Sequence, residues 1–218
     1  MAWWSRCVVL ALLAGCTGWP PRPDAGSADA AIPTGCRLPF AGDPNLPPEM
    51  TLLVLGDRYV SQPLLDGGGL PLMFPPQGGR VAFAGLQARN VDPCQARLSG
   101  LVRDLASGQI RLETRTVNLR VFDGGYASSV DTNIATWANI PLCHNQWTPQ
   151  NVYGNPFELE LTFTDRGGRV LSQTALVTPY CAEAQHDAEC RCICRGGYML
   201  GEVCDTGDGG VSDGGDAG

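Results

Sequence analysis

Phe157-Glu158-Leu159-Glu160-Leu161-Thr162-Phe163-Thr164 alternates apolar and polar side chains over eight residues. Successive side chains of a β-strand point to opposite faces. The spacing therefore puts Phe157, Leu159, Leu161 and Phe163 on a core face, with Glu158, Glu160, Thr162 and Thr164 on a solvated one. Asp165-Arg166-Gly167-Gly168 supplies a turn, and residues 169–177 read as the returning strand of a hairpin.

Working outward from this hairpin, residues 50–55, 80–91, 96–105, 109–122 and 134–142 are further strand candidates. Between them, Asp66-Gly67-Gly68-Gly69, Pro75-Pro76-Gln77-Gly78-Gly79 and Asp123-Gly124-Gly125 carry the residues that tight turns demand. Within 109–122 the alternation slips. Ile110 and Leu112 share one face, whereas Val117, Leu119 and Val121 share the other, as a bulge or a crossing between sheets would produce. About seven or eight short strands, with no long apolar period of 3.6, predict an all-β body: an antiparallel β-sandwich of immunoglobulin-like type, with a barrel as the alternative.

Low-complexity stretches bracket this body. Residues 17–35 are rich in Pro, Ala, Gly and Asp and too poor in large apolar side chains to offset the entropy of ordering, so they are expected to form a tether. Its root-mean-square reach is roughly 25 Å and its extended limit ~65 Å. Residues 205–218 read as a disordered Asp/Gly tail. A calcium loop does not fit them, because Gly207 and Gly209 stand where oxygen ligands are required. The 15 basic residues are all Arg and face 22 acidic ones, a net charge of −7, which disfavours nucleic acid and anionic lipid headgroups as partners.

The first residues have the layout of a secretory signal. Arg6 provides a positive n-region, and the run from Cys7 to Ala14 is apolar but much shorter than the ~20 residues a bilayer span needs. It ends in Leu13-Ala14-Gly15-Cys16, which resembles the lipobox of bacterial lipoproteins. That resemblance implies cleavage before Cys16, acylation of its thiol and attachment to a membrane. The mature chain then has a net charge of −8 (14 − 22). Thr17, in place of an Asp, points to the outer membrane under the enteric sorting rule. The expected organisation is a signal peptide over 1–15, a tether over 16–35, a sandwich over 36–181, a Cys-rich segment over 182–204 and the tail.

Across residues 50–181 a second resemblance is carried by Leu53-Val54-Leu55-Gly56, Pro63-Leu64-Leu65-Asp66-Gly67, Leu70-Pro71-Leu72, Pro76-Gln77-Gly78-Gly79 and Asp92-Pro93-Cys94. The order is similar to that of a group of uncharacterised bacterial lipoproteins. Members have Gly-Pro-Gln-Gly-Gly followed by an aromatic residue and His. Here Pro75 replaces the first Gly and Arg80-Val81 the aromatic and His, so no role of that His carries over. The resemblance implies an exported sandwich-like domain and brings no activity with it.

Of ten cysteines, Cys7 leaves with the signal and Cys16 takes lipid, leaving Cys36, Cys94, Cys143, Cys181, Cys190, Cys192, Cys194 and Cys204. An even number in an exported chain implies a disulfide framework, with about a hundred possible connectivities. Cys192-Ile193-Cys194-Arg195-Gly196-Gly197-Tyr198, with Cys204 after it, resembles the second half of an EGF-like module. That resemblance pairs Cys194 with Cys204 and sends Cys192 upstream. With no complete upstream half, the segment is expected to be a half-module fused to the sandwich. The competing use of Cys190, Cys192, Cys194 and His186 is a zinc or redox site, although Cys-x-Cys-x-Cys makes a cramped chelate.

No catalytic constellation is present: there is no His-Glu-x-x-His and, without Lys, no Walker-type loop, and the Gly-x-Ser-x-Gly match, Gly210-Val211-Ser212-Asp213-Gly214, falls in the Asp/Gly tail, outside any strand-to-helix pattern. His144 beside Cys143 and the pair Trp137 and Trp147 read as packing or surface residues, and Glu158 with Glu160 as a solvated strand face. The sequence therefore predicts a non-enzymatic, membrane-anchored envelope module without cofactor or metal, binding an envelope protein, peptide or glycan. A metal-binding or redox lipoprotein is the alternative.

Overall fold

The hairpin at residues 157–177 forms the middle of a five-stranded sheet. The structure, a computed structural model, describes residues 36–75 and 77–204. The expectations for the signal peptide, Cys16, the tether and the Asp/Gly tail lie outside these residues.

Eleven strands are seen among them. They are β1 (Glu49–Leu55), β2 (Ser61–Pro63), β3 (Gly68–Leu72), β4 (Arg80–Arg89), β5 (Ala96–Asp104), β6 (Ile110–Val117), β7 (Arg120–Phe122), β8 (Tyr126–Ser128), β9 (Ala138–Cys143), β10 (Phe157–Thr164) and β11 (Val170–Cys181). A single α-helix, α1, spans Asp187–Ile193. One sheet has the order β2-β1-β4-β8-β7 with β9 also paired to β4, and the other the order β3-β11-β10-β5-β6. All pairings are antiparallel except β3 with β11. The fold is thus the expected β-sandwich, with one parallel pair added at an edge.

Strand alternation builds the core between the sheets. Leu52 and Val54 of β1, Ala82, Ala84, Leu86 and Ala88 of β4, and Ile140 and Leu142 of β9 come from the first sheet. Leu98 and Val102 of β5, with Phe157, Leu159, Leu161 and Phe163 of β10, oppose them from the second. Gly100 marks the closest approach, where an added Cβ would lie 2.8 Å from Ile140 Cδ1 and 2.9 Å from the Ala138 Cβ. The phase slip in 109–122 is a crossing between sheets: β6 belongs to the second and β7 to the first, with Asn118 and Leu119 between them. Leu119 is fully buried at the crossing, and Ile110 and Leu112 lie on the outer face, exposed.

The first sheet carries a second, smaller core on its outer face, formed by Leu53, Leu55, Met73, Val81, Phe83 and Trp137. Trp137 lies directly on Gly85 and donates from Nε1 to the Val130 carbonyl at 3.0 Å. This cap covers β4 only as far as Gly85. Beyond it the same face continues as Gln87 and Arg89, uncapped.

All eight cysteines of the body are paired, as Cys36–Cys94, Cys143–Cys194, Cys181–Cys190 and Cys192–Cys204. Such a framework belongs to an oxidising, extracytoplasmic environment. No helix among the described residues is long and apolar enough to cross a membrane. The EGF-based pairing of Cys194 with Cys204 is corrected, because Cys192 holds Cys204 and Cys194 reaches back to Cys143. Helix α1 is the reason. Residues four apart share a helix face, so Cys190 and Cys194 both turn into the core with Ile193, while Cys192 stays half-exposed on the other side. The three cysteines of the alternative zinc or redox site therefore enter three different disulfides.

Arg80 and Glu189 tie α1 to the sandwich further. The Arg80 side chain is 1% exposed, pairs with Glu189 at 3.0 Å, donates to the Gly79 and His186 carbonyls, and lies over the Phe74 ring.

Candidate functional site

Where the Trp137 cap ends, the outer face of the first sheet opens into a groove of about 500 Å³. Its floor follows from register. Gln87 of β4 pairs with Thr51 of β1 and Ser128 of β8, and Ser128 pairs with Arg120 of β7. One pleat along, Arg89 lies between Glu49 and Tyr126, and Tyr126 pairs with Phe122. Four strands thus present one row of Thr, Gln, Ser and Arg beside a row of Glu, Arg, Tyr and Phe.

The hairpin of β7 and β8 orients the aromatic pair. Gly124 and Gly125 both have positive φ, which lets the chain reverse between Phe122 and Tyr126. The two rings then stack across the strands at 5.2 Å and 8° between planes, and Arg120 lies over Phe122 at 5.0 Å. Arg89 donates to the Gly124 carbonyl and so holds the turn against β4.

The far wall is the segment after β8. Ser129 Oγ donates to the Thr136 carbonyl at 2.8 Å, Thr136 Oγ1 accepts from Val130 N at 2.8 Å, and the Trp137 indole binds the Val130 carbonyl. These bonds fix Val130, Asp131 and Thr132 along the groove. A second hollow of about 300 Å³, over Glu49, Thr51 and Arg89, adjoins the first and shares Gln87 and Tyr126 with it.

Several polar groups of the groove are open to a ligand. The Gln87 amide, the Arg120 guanidinium, the Tyr126 hydroxyl and the Asp131 carboxylate have no hydrogen-bond or ion-pair partner among the described residues. Two polar clusters elsewhere are tied into the fold. Asp165, buried in the β10–β11 turn, accepts from Arg169 Nε and from the backbone N–H groups of Arg169 and Asp92. The Arg103 guanidinium meets Glu158 at 3.1 Å.

A broader depression of about 660 Å³ lies beside Trp147, Pro149, Tyr198, Met199 and Leu200. Two of its polar neighbours, Ser107 and Thr148, are committed to one buried carboxylate. Asp104 is fully buried and accepts from Ser107 Oγ (2.6 Å), Thr148 Oγ1 (2.6 Å), Gln150 Nε2 (2.8 Å) and Ala106 N (2.9 Å). Burial pushes its pKa up, yet these hydrogen bonds outweigh burial and hold it below the ordinary carboxylate range. This cluster of hydrogen bonds is a structural joint between the β5–β6 turn and the loop before β10.

The residues singled out in the sequence do not converge on a reactive centre. His144 stacks on Tyr198 at 5.4 Å and His186 on Phe74 at 4.9 Å, at separate places. Trp137 and Trp147 are buried, the latter donating to the Leu142 carbonyl. Glu158 and Glu160 lie on the solvated outer face of the second sheet, where β10 is a central strand. None of the groove's open polar residues was singled out, although the outward positions of residues 80–89 change from Val81 and Phe83 to Gln87 and Arg89. The chain matches no protein-family model, no curated protein and no solved structure.

Proposed function

We propose that this chain is a lipid-anchored envelope protein whose sandwich binds another envelope component through the outer face of its first sheet and performs no chemistry of its own. The observation that carries the reading is the groove. Open polar side chains that bond to nothing within the fold, on a floor of four hydrogen-bonded strands, form a preorganised recognition surface. The lipobox-like Leu13-Ala14-Gly15-Cys16 supplies the anchor, with Cys16 acylated and the outer membrane as the address. The disulfide framework agrees with that compartment.

Two measurements test this reading. Growth of a bacterial host with an alkynyl fatty acid should label the wild-type protein and not Cys16→Ala; acylation that survives the substitution would overturn the anchor. A photoreactive phenylalanine analogue at position 87, irradiated in living cells, should give a discrete adduct that the same analogue at position 172, on the opposite sheet, does not. Equal adducts from both positions, or none from either, would remove the groove as a recognition surface.

A further inference from the structure

Resting on the binding role just proposed, we infer that the groove is a glycan subsite for an uncharged polyhydroxylated chain, with Tyr126 as the stacking platform and Gln87, Arg120 and Asp131 as hydroxyl-binding groups. Three features of the lining select this ligand.

The first is charge. Arg89 and Arg120 are matched in number by Glu49 and Asp131 across the two adjoining hollows, so the surface is locally neutral on a chain of net charge −7. A polyanion such as nucleic acid or an acidic glycan gains nothing from such a surface.

The second is the kind of polar group. An amide, a guanidinium and a carboxylate are planar and offer paired donors or acceptors. Paired hydroxyls on neighbouring ring carbons meet that geometry two bonds at a time. An extended peptide recognised through its main chain would instead need an unpaired strand edge along its length. Here the floor is a sheet face whose backbone groups are already bonded between β1, β4, β8 and β7.

The third is the aromatic geometry. One face of Tyr126 is stacked on Phe122, and its ring borders both hollows. A sugar presents its axial C–H bonds to a ring face while its hydroxyls project sideways. A pyranose on Tyr126 therefore brings its rim within reach of Gln87 on one side and Arg120 on the other. The two hollows, about 300 and 500 Å³, adjoin at Gln87 and Tyr126 and together accommodate more than one sugar unit.

The test uses the full-length mature protein in a detergent without a sugar headgroup. It is titrated calorimetrically with soluble tetramers of β-1,4-linked glucose, β-1,4-linked N-acetylglucosamine and α-linked mannose, and with an uncharged tetrapeptide. Saturable binding to at least one sugar chain is expected. Gln87→Ala and Tyr126→Ala should each weaken it by about tenfold or more. Tyr126→Phe should keep most of the affinity because the ring remains, and Ser172→Ala on the opposite sheet should leave it unchanged.

Circular dichroism of each variant confirms the fold. Three results would overturn the assignment: no saturable binding to any of the three sugars, binding that Gln87→Ala and Tyr126→Ala leave intact, or binding of the tetrapeptide alone. A position-87 photoadduct obtained together with failure of all three sugars would reject the glycan and keep the recognition surface. Loss of both would reject both.

Discussion

Gly85→Ala should destabilise the fold and disorganise the groove together, because the missing Cβ is the space Trp137 occupies. A Cβ built at Gly85 lies 2.5 Å from Trp137 Cε3, 2.7 Å from Cζ3 and 2.5 Å from Ser129 Oγ. Ordinary contact between carbon atoms is about 3.5–4.0 Å, so the indole has to retreat by about an ångström. Overpacking of this kind costs about 1–3 kcal/mol. A retreat that breaks the 3.0 Å bond from Nε1 to the Val130 carbonyl strands a buried donor, at about 1–3 kcal/mol more. Loss of glycine's freedom in the unfolded chain returns about 0.5–1 kcal/mol. The net destabilisation is about 1–5 kcal/mol, which lowers the urea midpoint by roughly 0.5–2.5 M at a slope of about 2 kcal/mol/M. Unfolding with the disulfides intact, followed by tryptophan fluorescence, measures it. The emission of the folded variant should also shift to the red as Trp137 is uncovered. A midpoint within 0.2 M of wild type, with unchanged emission, would refute the argument that Trp137 is locked on Gly85.

Because hydrogen bonds depress the Asp104 pKa, its contribution to stability is complete above the unfolded value of about 3.9 and is lost as pH falls through the lower folded value. Asp104→Asn should therefore be less stable at pH 7 and show a flatter decline on acidification, and an acid limb parallel to wild type would contradict it. At the Arg80–Glu189 pair, Glu189→Ala should cost more than Arg80→Met. The former strands a buried cation, at about 3–5 kcal/mol, whereas the Glu189 left by the latter is 28% exposed and rehydrates. Equal losses in denaturant unfolding would count against this asymmetry. Under graded reductant, Cys192–Cys204 should open first, since both its cysteines are half-exposed whereas Cys143 and Cys194 are buried. Differential alkylation and peptide mapping would show the order, and first loss of Cys143–Cys194 would overturn it.

The parts of the fold that the sequence announced are those whose stability is written locally. β10 alternates perfectly because one of its faces is core and the other water, and the slip in 109–122 announced a real change of sheet. β2, β3 and β8 escaped because each is three to five residues long and held by its neighbours. β3 contains two glycines and a proline and is a strand only because β11 pairs with it in parallel. α1 escaped because, at seven residues, its stability comes from three disulfides, at Cys190, Cys192 and its C-cap Cys194, and from Arg80 rather than from an amphipathic repeat. Likewise the groove is a product of register. Gln87, Tyr126 and Arg120 come from three strands, and nothing in their local sequence states that a cap over Gly85 stops just before them. Disulfide partners were illegible for the same reason, until the helix showed which cysteines face inward.

The order of the cysteines along the chain bears on how the protein is made. Cys36 and Cys94 are consecutive, so a polypeptide delivered amino-terminus first meets the correct partner as soon as Cys94 emerges. Cys143 then arrives, but its partner is Cys194, which follows Cys181, Cys190 and Cys192. Oxidation in order of arrival joins Cys143 to Cys181, a bond absent from the native set, and only thiolate attack and exchange can undo it. Oxidation in that order thus has to be followed by exchange, and the last stitches of the sandwich wait for a segment synthesised after all its strands.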